Sequence, residues 1–128
     1  MNWIVEKLLR FTGSQKFLSI QLDITNACNL KCRHCYQGEQ SKNADLNFED
    51  WRRILDQYGS LANKLHLKPH FCLSGGEPTL SPIFSEIINE LHSRWPGAGI
   101  VVLTNGTRIS EKSSVVSHKY LYLCAVLL

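Results

Sequence analysis

The chain has no long hydrophobic run. Its longest purely apolar stretch is Leu121 to Leu128, with Tyr122 and Cys124 inside it. A bilayer-spanning helix needs about 20 such residues, so no membrane partner is expected. The chain also has no block of like charge: its 14 Lys and Arg and 11 Asp and Glu are spread along the sequence and leave a net charge of +3. Nothing resembles a basic tail for nucleic acid. An even, well-spaced set of cysteines is missing too. There are five, and Cys28, Cys32 and Cys35 crowd together. A disulfide framework needs separated pairs, so the cysteines point to a reducing cytoplasm. Met1 to Arg10 carries charges among its apolar residues and lacks the uninterrupted core of a signal peptide. Apolar residues at positions 4, 5, 8, 9 and 11 share one helical face, so residues 1–16 read as an N-terminal helix. There is no internal repeat and no low-complexity linker. The 128 residues suffice for one domain with its own core.

What is present reads as alternating strands and helices. Phe17 to Ile24 places Leu18, Ile20, Leu22 and Ile24 on one face of a strand. After a polar stretch from Gln37 to Asp45, Asn47 can cap a helix, with Asp50 bringing charge to its first turn. That helix is expected to reach Leu65, with Phe48, Trp51, Ile54, Leu55 and Tyr58 inward, Gly59 interrupting it and Pro69 breaking it. His70 to Ser74 reads as a short strand. Ser81-Pro82 is expected to open the next helix, serine as cap and proline in the first turn, with Pro96-Gly97 as the stop. Gly99 to Leu103 is a continuous apolar run of the buried parallel kind. These spacings give βαβαβ units, hence an α/β fold with a parallel sheet and right-handed crossovers. Loops that follow the strands then share the carboxyl edge, where such folds place ligands.

Three of those loops carry candidate chemistry. Cys28, Cys32 and Cys35 form C-x3-C-x2-C, three thiolates where structural zinc or an ordinary four-iron cluster takes four protein ligands. A cubane with one iron left open fits that count. The same positions are i, i+4 and i+7, so a buried helical cysteine stripe is one alternative; Asn26, Asn29, Lys31, Arg33 and His34 suit a packed helix poorly. Zinc with His34 or Cys72 as fourth ligand is another, although neighbours such as His34 and Cys35 seldom both reach one tetrahedral ion. Cys72 and Cys124 otherwise read as small, buried strand residues. In the second loop, Gly75 and Gly76 allow backbone to approach a ligand closely, Glu77 adds an anion suited to an ammonium group, and Pro78 stiffens the turn. In the third, Thr104-Asn105-Gly106 is compatible with an ordinary turn.

Taken in order, C-x3-C-x2-C, Gly75-Gly76-Glu77-Pro78 and Thr104-Asn105-Gly106 make Phe17 to Thr107 resemble the radical S-adenosylmethionine (SAM) superfamily. The resemblance implies that Cys28, Cys32 and Cys35 hold a [4Fe-4S] cluster whose open iron is chelated by SAM. It implies that Gly75, Gly76, Glu77 and Pro78 line the methionine end, with Glu77 favouring its ammonium. His34 would lie against the adenine, and Thr104 and Asn105 would face SAM or substrate. Lys31 and Arg33 could offset the negative charge of the cluster. The implied activity is reductive cleavage of SAM to methionine and a 5′-deoxyadenosyl radical that takes hydrogen from a substrate. The implied partners are a reductant such as flavodoxin or ferredoxin and, from the C-N-L-x-C-x-H-C-Y flavour, a peptide or protein substrate.

The implied fold is a partial (β/α)6 TIM-like barrel, of which the sequence supplies the first half. Residues 17–110 read as that partial core, and 111–128 as an atypical C-terminal tail without helix periodicity. A truncated or frame-shifted product is therefore expected. The rival readings are a catalytically inactive iron–sulfur or zinc-binding remnant, and a half-barrel completed by a partner chain.

Overall fold

A computed structural model describes residues 16–33, 35, 44–112 and the backbone of 121–125. Residues 1–15 of the expected N-terminal helix, and His34, lie outside the described residues. Among those described, the elements are β1 (Phe17–Asp23), α1 (Phe48–Leu65), β2 (Lys68–Ser74), α2 (Phe84–Arg94), β3 (Gly99–Thr104) and β4 (Leu121–Ala125). The strands form one sheet in the order β1-β2-β3-β4, every neighbouring pair parallel. Sequence reading finds three strands; the fourth lies within the expected tail. Leu121 pairs with Ile100 and Ala125 with Thr104. It is hard to see because, unlike the run Gly99 to Leu103 between Pro96-Gly97 and Asn105-Gly106, this apolar run has no flanking glycine or proline to mark it as a strand.

Register puts Leu22, Phe71, Leu73, Ile100 and Val102 on one face of the sheet, all buried. Trp51, Leu55 and Tyr58 of α1 and Phe84, Ile87, Ile88 and Leu91 of α2 pack on that face and complete a single core. The opposite face carries exposed Phe17, Ser19, Gln21 and Asp23 from β1 and half-buried His70, Cys72, Val101 and Leu103 from β2 and β3. Both helices thus cover one side, as in a barrel wall seen from outside.

Asn47 caps α1 as expected, its side-chain oxygen accepting from the Asp50 amide at 2.9 Å, an arrangement typically worth ~1 kcal/mol. The other end falls at Leu65 as expected, but by another cause: His66 turns left-handed (φ 54°) and its amide bonds back to Ala62 and Asn63. Pro69 is a strand residue. The Lys68 amide donates to Lys16 toward the β1 side, so the missing amide of Pro69 falls on the β3 side. Pairing there begins only at His70 with Gly99, and no ladder bond is lost.

Nor does Gly59 interrupt α1. A Cβ there would lie 2.9 Å from Cζ2 of Trp95, whose ring packs against Tyr58 and Phe71 at centroid distances of 5.8 and 5.1 Å. The glycine makes room for an indole at the end of α2. Gly59→Ala should improve helix propensity by up to ~1 kcal/mol yet overpack this cluster by ~1–3 kcal/mol. The expected result in urea unfolding is a net loss of about 1 kcal/mol. A stabilised variant would show that Trp95 yields freely.

Tyr58 also joins the two layers. Its hydroxyl donates to the Leu18 carbonyl at 2.6 Å and accepts from the His70 amide at 3.2 Å. Burial raises its pKa above the ordinary tyrosine value, and the His70 amide opposes that rise.

The expected start of α2 is corrected as well. Phe84, not Ser81-Pro82, begins the helix; Ile83 precedes it without a side-chain cap. Ser81 is taken up by the preceding 3-10 turn, Pro78–Leu80, donating its amide to Pro78 and accepting from Phe84. Pro82 lies in the short turn between the two. The segment closes a loop before it starts a helix.

Candidate functional site

The three motif loops meet at the carboxyl edge of the sheet. The Ile24 amide donates to the Ser74 carbonyl at 3.1 Å, carrying the β1–β2 contact one residue past the strands. Beyond it, the Gly76 amide donates to Thr25 and the Glu77 amide to Ala27, each at 2.8 Å. The glycines make this possible. Gly75 has φ +130°, and a Cβ there would lie 2.3 Å from the Thr25 carbonyl oxygen. At Gly76 it would lie 2.3 Å from the Ala27 oxygen. The close approach expected of these residues is thus made to the backbone leading into Cys28.

Asp45 holds that backbone from the other side. Its carboxylate accepts from the Thr25 hydroxyl at 2.5 Å and the Asn26 amide at 2.8 Å, and the Ala27 amide donates to the Thr25 hydroxyl at 3.1 Å. Sequence reading missed Asp45, which ends a polar stretch and has no local signal of its role. Its partners are about twenty residues upstream.

Cys28 and Cys32 are half-buried and Cys35 is exposed; these three and Cys72 are thiols. The Cys35 amide donates to Cys32 at 3.3 Å, making a tight turn through Arg33. Among the described residues, no group of three His, Cys, Asp or Glu side chains is drawn together as a metal ligand set. The donor chemistry nonetheless fits an iron–sulfur cluster: three thiols on one short, accessible loop whose entry is anchored on both sides. Ligand convergence commonly accompanies metal binding rather than preceding it.

Glu77 is fully buried. Its Oε1 accepts from the Thr79 amide at 3.2 Å, the Thr79 hydroxyl at 2.5 Å and the Thr104 hydroxyl at 2.6 Å. Its Oε2 accepts from the Asn105 amide at 2.7 Å. Thr104, whose hydroxyl also accepts from Gly106, is buried at 2% exposure. Pro78 is buried where the 3-10 turn begins. Asn105 reaches back to the cysteine loop: its side-chain amide donates to Asn29 at 2.8 Å, and that of Asn29 donates to Thr107 at 2.9 Å. Asn29 and Thr107, like Thr25 and Thr79, are residues that sequence reading did not assign to the site. Cys72 lies inside β2, level with Gln21 on the uncovered face.

The Radical SAM superfamily profile matches residues 22–116, and the chain belongs to that superfamily. GTP 3′,8-cyclase of Klebsiella pneumoniae (strain 342) is 30% identical over 103 residues, covering 77% of this chain and 30% of that protein. A probable GTP 3′,8-cyclase of Methanocella arvoryzae is 32% identical over 103 residues, with the same coverage. The tungsten-containing aldehyde ferredoxin oxidoreductase cofactor-modifying protein of Pyrococcus furiosus is 32% identical over 95 residues, 73% of this chain and 25% of the relative. This chain therefore spans a quarter to a third of the curated relatives it matches. The crystal structure of Streptococcus suis SuiB bound to precursor peptide SuiA superposes with a TM-score of 0.66 at 21% identity, covering 94% of this chain and 26% of that one. The fold is thus the expected α/β one, a parallel sheet that forms part of a TIM-like radical SAM barrel. No helix among the described residues is long and apolar enough to cross a membrane.

Proposed function

We propose that this chain carries the cluster- and SAM-binding part of a radical SAM enzyme. The observation that carries the reading is the mutual anchoring of the three motif loops: Gly76 and Glu77 on the approach to Cys28, Glu77 on Thr104 and Asn105, and Asn105 on Asn29. In this reading Cys28, Cys32 and Cys35 hold a [4Fe-4S] cluster, Gly75 to Pro78 line the methionine end of SAM, and His34 lies against its adenine. When bound, cluster and SAM would supply a 5′-deoxyadenosyl radical by reductive cleavage. The chain's own residues fix where that chemistry happens. Asp45 and the glycine loop hold the entry to the cysteine loop, and the Asn29–Asn105–Thr107 bonds tie it to the end of β3.

The uncovered face of the sheet, with Gln21, Asp23, His70 and Cys72, would face the substrate. A peptide or protein is the proposed substrate class, supported by the cysteine-loop residues and by the fold shared with a protein solved with its precursor peptide. A flavodoxin or ferredoxin would be the reductant.

Anaerobic reconstitution with iron and sulfide, followed by dithionite and SAM, tests this reading. The expected result is 5′-deoxyadenosine that disappears in Cys32→Ala. A complete cluster without 5′-deoxyadenosine would favour an iron–sulfur-binding chain that does not cleave SAM.

A further inference from the structure

Glu77 bears the charge that the cofactor reading sets against an ammonium group, yet its carboxylate is wholly buried and already meets four protein donors. Three of the four donors converge on Oε1 and one meets Oε2, so of the about four lone-pair sites of a carboxylate the one left, on Oε2, lies within a buried side chain. Turning Glu77 toward a ligand would strand the Thr104 hydroxyl and the Asn105 amide, both at the edge of the core.

Its position suggests a different role. The β2–β3 ladder ends at Leu73 with Val102. Thr104 and Asn105 lie beyond that last register pair. The Glu77 side chain reaches across to them, giving Oε1 to the Thr104 hydroxyl and Oε2 to the Asn105 amide. Its own amide is bonded to Ala27, just before Cys28. The Asn105 side chain returns to Asn29, just after Cys28. One residue therefore closes a ring through all three loops, and Cys28 sits on that ring.

Resting on the cofactor reading for what the ring serves, we propose that Glu77 is a positioning residue: it sets the third loop and the cysteine loop in register for SAM and makes no contact with the SAM ammonium itself. Recognition of that ammonium then falls to other acceptors around the loops. The role depends on reach and acceptor geometry more than on charge. Glutamine retains the reach and can still offer an oxygen to the Asn105 amide while the two threonine hydroxyls rotate to accept; only the Thr79 amide then loses its acceptor. Aspartate retains the charge but is one methylene too short to reach across. Valine at Thr104 removes one donor and leaves the Glu77 charge intact.

The test compares Glu77→Gln, Glu77→Asp and Thr104→Val in two experiments. In the metal-free protein, amide exchange at Asn105 is measured by NMR. Glu77→Asp should speed it by about tenfold or more, the factor that a lost charge-assisted hydrogen bond represents, and Glu77→Gln should have the smaller effect. In the reconstituted protein, SAM affinity is read from the perturbation SAM makes in the spectrum of the reduced cluster. Affinity should fall in the order Gln, then Asp, with Thr104→Val also weakened although Glu77 is untouched.

The opposite order in the second experiment, with Glu77→Gln losing SAM, Glu77→Asp keeping it and Thr104→Val normal, would mean direct ammonium contact. Unchanged Asn105 exchange in folded Glu77→Asp would overturn the proposal as well. So would unchanged SAM affinity in variants whose only defect is a lower unfolding midpoint, since Glu77 would then be merely structural. If the parent protein builds no cluster, the cofactor reading fails while the exchange experiment still decides whether Glu77 holds the third loop. If Glu77→Asp does not fold, Thr104→Val supplies the same two readouts.

Discussion

Gly75→Ala is expected to destabilise the chain by ~3 kcal/mol, the sum of a strained backbone and an unavoidable clash. For a domain near 100 residues that is a fall in Tm on the order of 15 °C. Two independent terms act together. At φ +130° an L side chain is in a region that only glycine visits readily. A Cβ would also stand 2.3 Å from the Thr25 carbonyl oxygen and 3.2 Å from its nitrogen. The neighbour is backbone, held in turn by the Asp45 bonds to Thr25 and Asn26, so it cannot swing aside as a side-chain tip would. Gly106 supplies the contrast. Its φ is +77°, but the nearest atom to an added Cβ is Cδ1 of Ile109 at 3.7 Å. Gly106→Asn should be nearly neutral, because asparagine tolerates a left-handed turn and the space is open. Thermal unfolding of both variants checks the pair. A mild Gly75→Ala would mean that the second loop can lift from the cysteine loop without breaking the fold.

The same contact explains why the motifs were legible while their internal wiring was not. Cys28, Cys32 and Cys35 announce themselves by spacing, and Asn47 announces a helix start because a cap is a local event between residues three apart. β1 and α1 are legible for a similar reason: their apolar periods match the face they bury. Glu77 looks, in sequence, like an anion beside two glycines. Its partners Thr104 and Asn105 are 27 and 28 residues away, and only the parallel register of β2 and β3 brings them within reach. Asp45 was invisible for the same reason.

Pro69 and Ser81 misled in the other direction. Proline and serine near a helix boundary are statistical signs of stopping and capping, but each was already committed elsewhere, Pro69 to a strand edge and Ser81 to a 3-10 turn. β4 needed β3 as a template, since nothing in Leu121 to Ala125 by itself separates a strand from a buried helix segment.

Replacement of any one of Cys28, Cys32 or Cys35 by alanine is expected to reduce bound iron and acid-labile sulfide to background after anaerobic reconstitution. A cubane held by three protein thiolates has no spare ligand. Two sulfurs on a short loop would leave two irons open, and such a cluster is lost to solvent. The secondary structure should survive, because Cys35 is exposed, Cys32 half-buried, and neither belongs to the apolar core. Cys72→Ala separates this expectation from a four-ligand zinc site. Cys72 lies within β2, opposite Gln21 and on the face the helices leave uncovered, outside the cysteine loop. If iron and sulfide persist in Cys72→Ala and vanish in Cys32→Ala, the three-thiolate count stands and one metal position is left for SAM. If Cys72→Ala also strips the metal, and the purified protein holds zinc, Cys72 is a fourth ligand. A closed tetrahedral site of that kind offers no place for SAM to bind the metal, and the catalytic reading would fall with it.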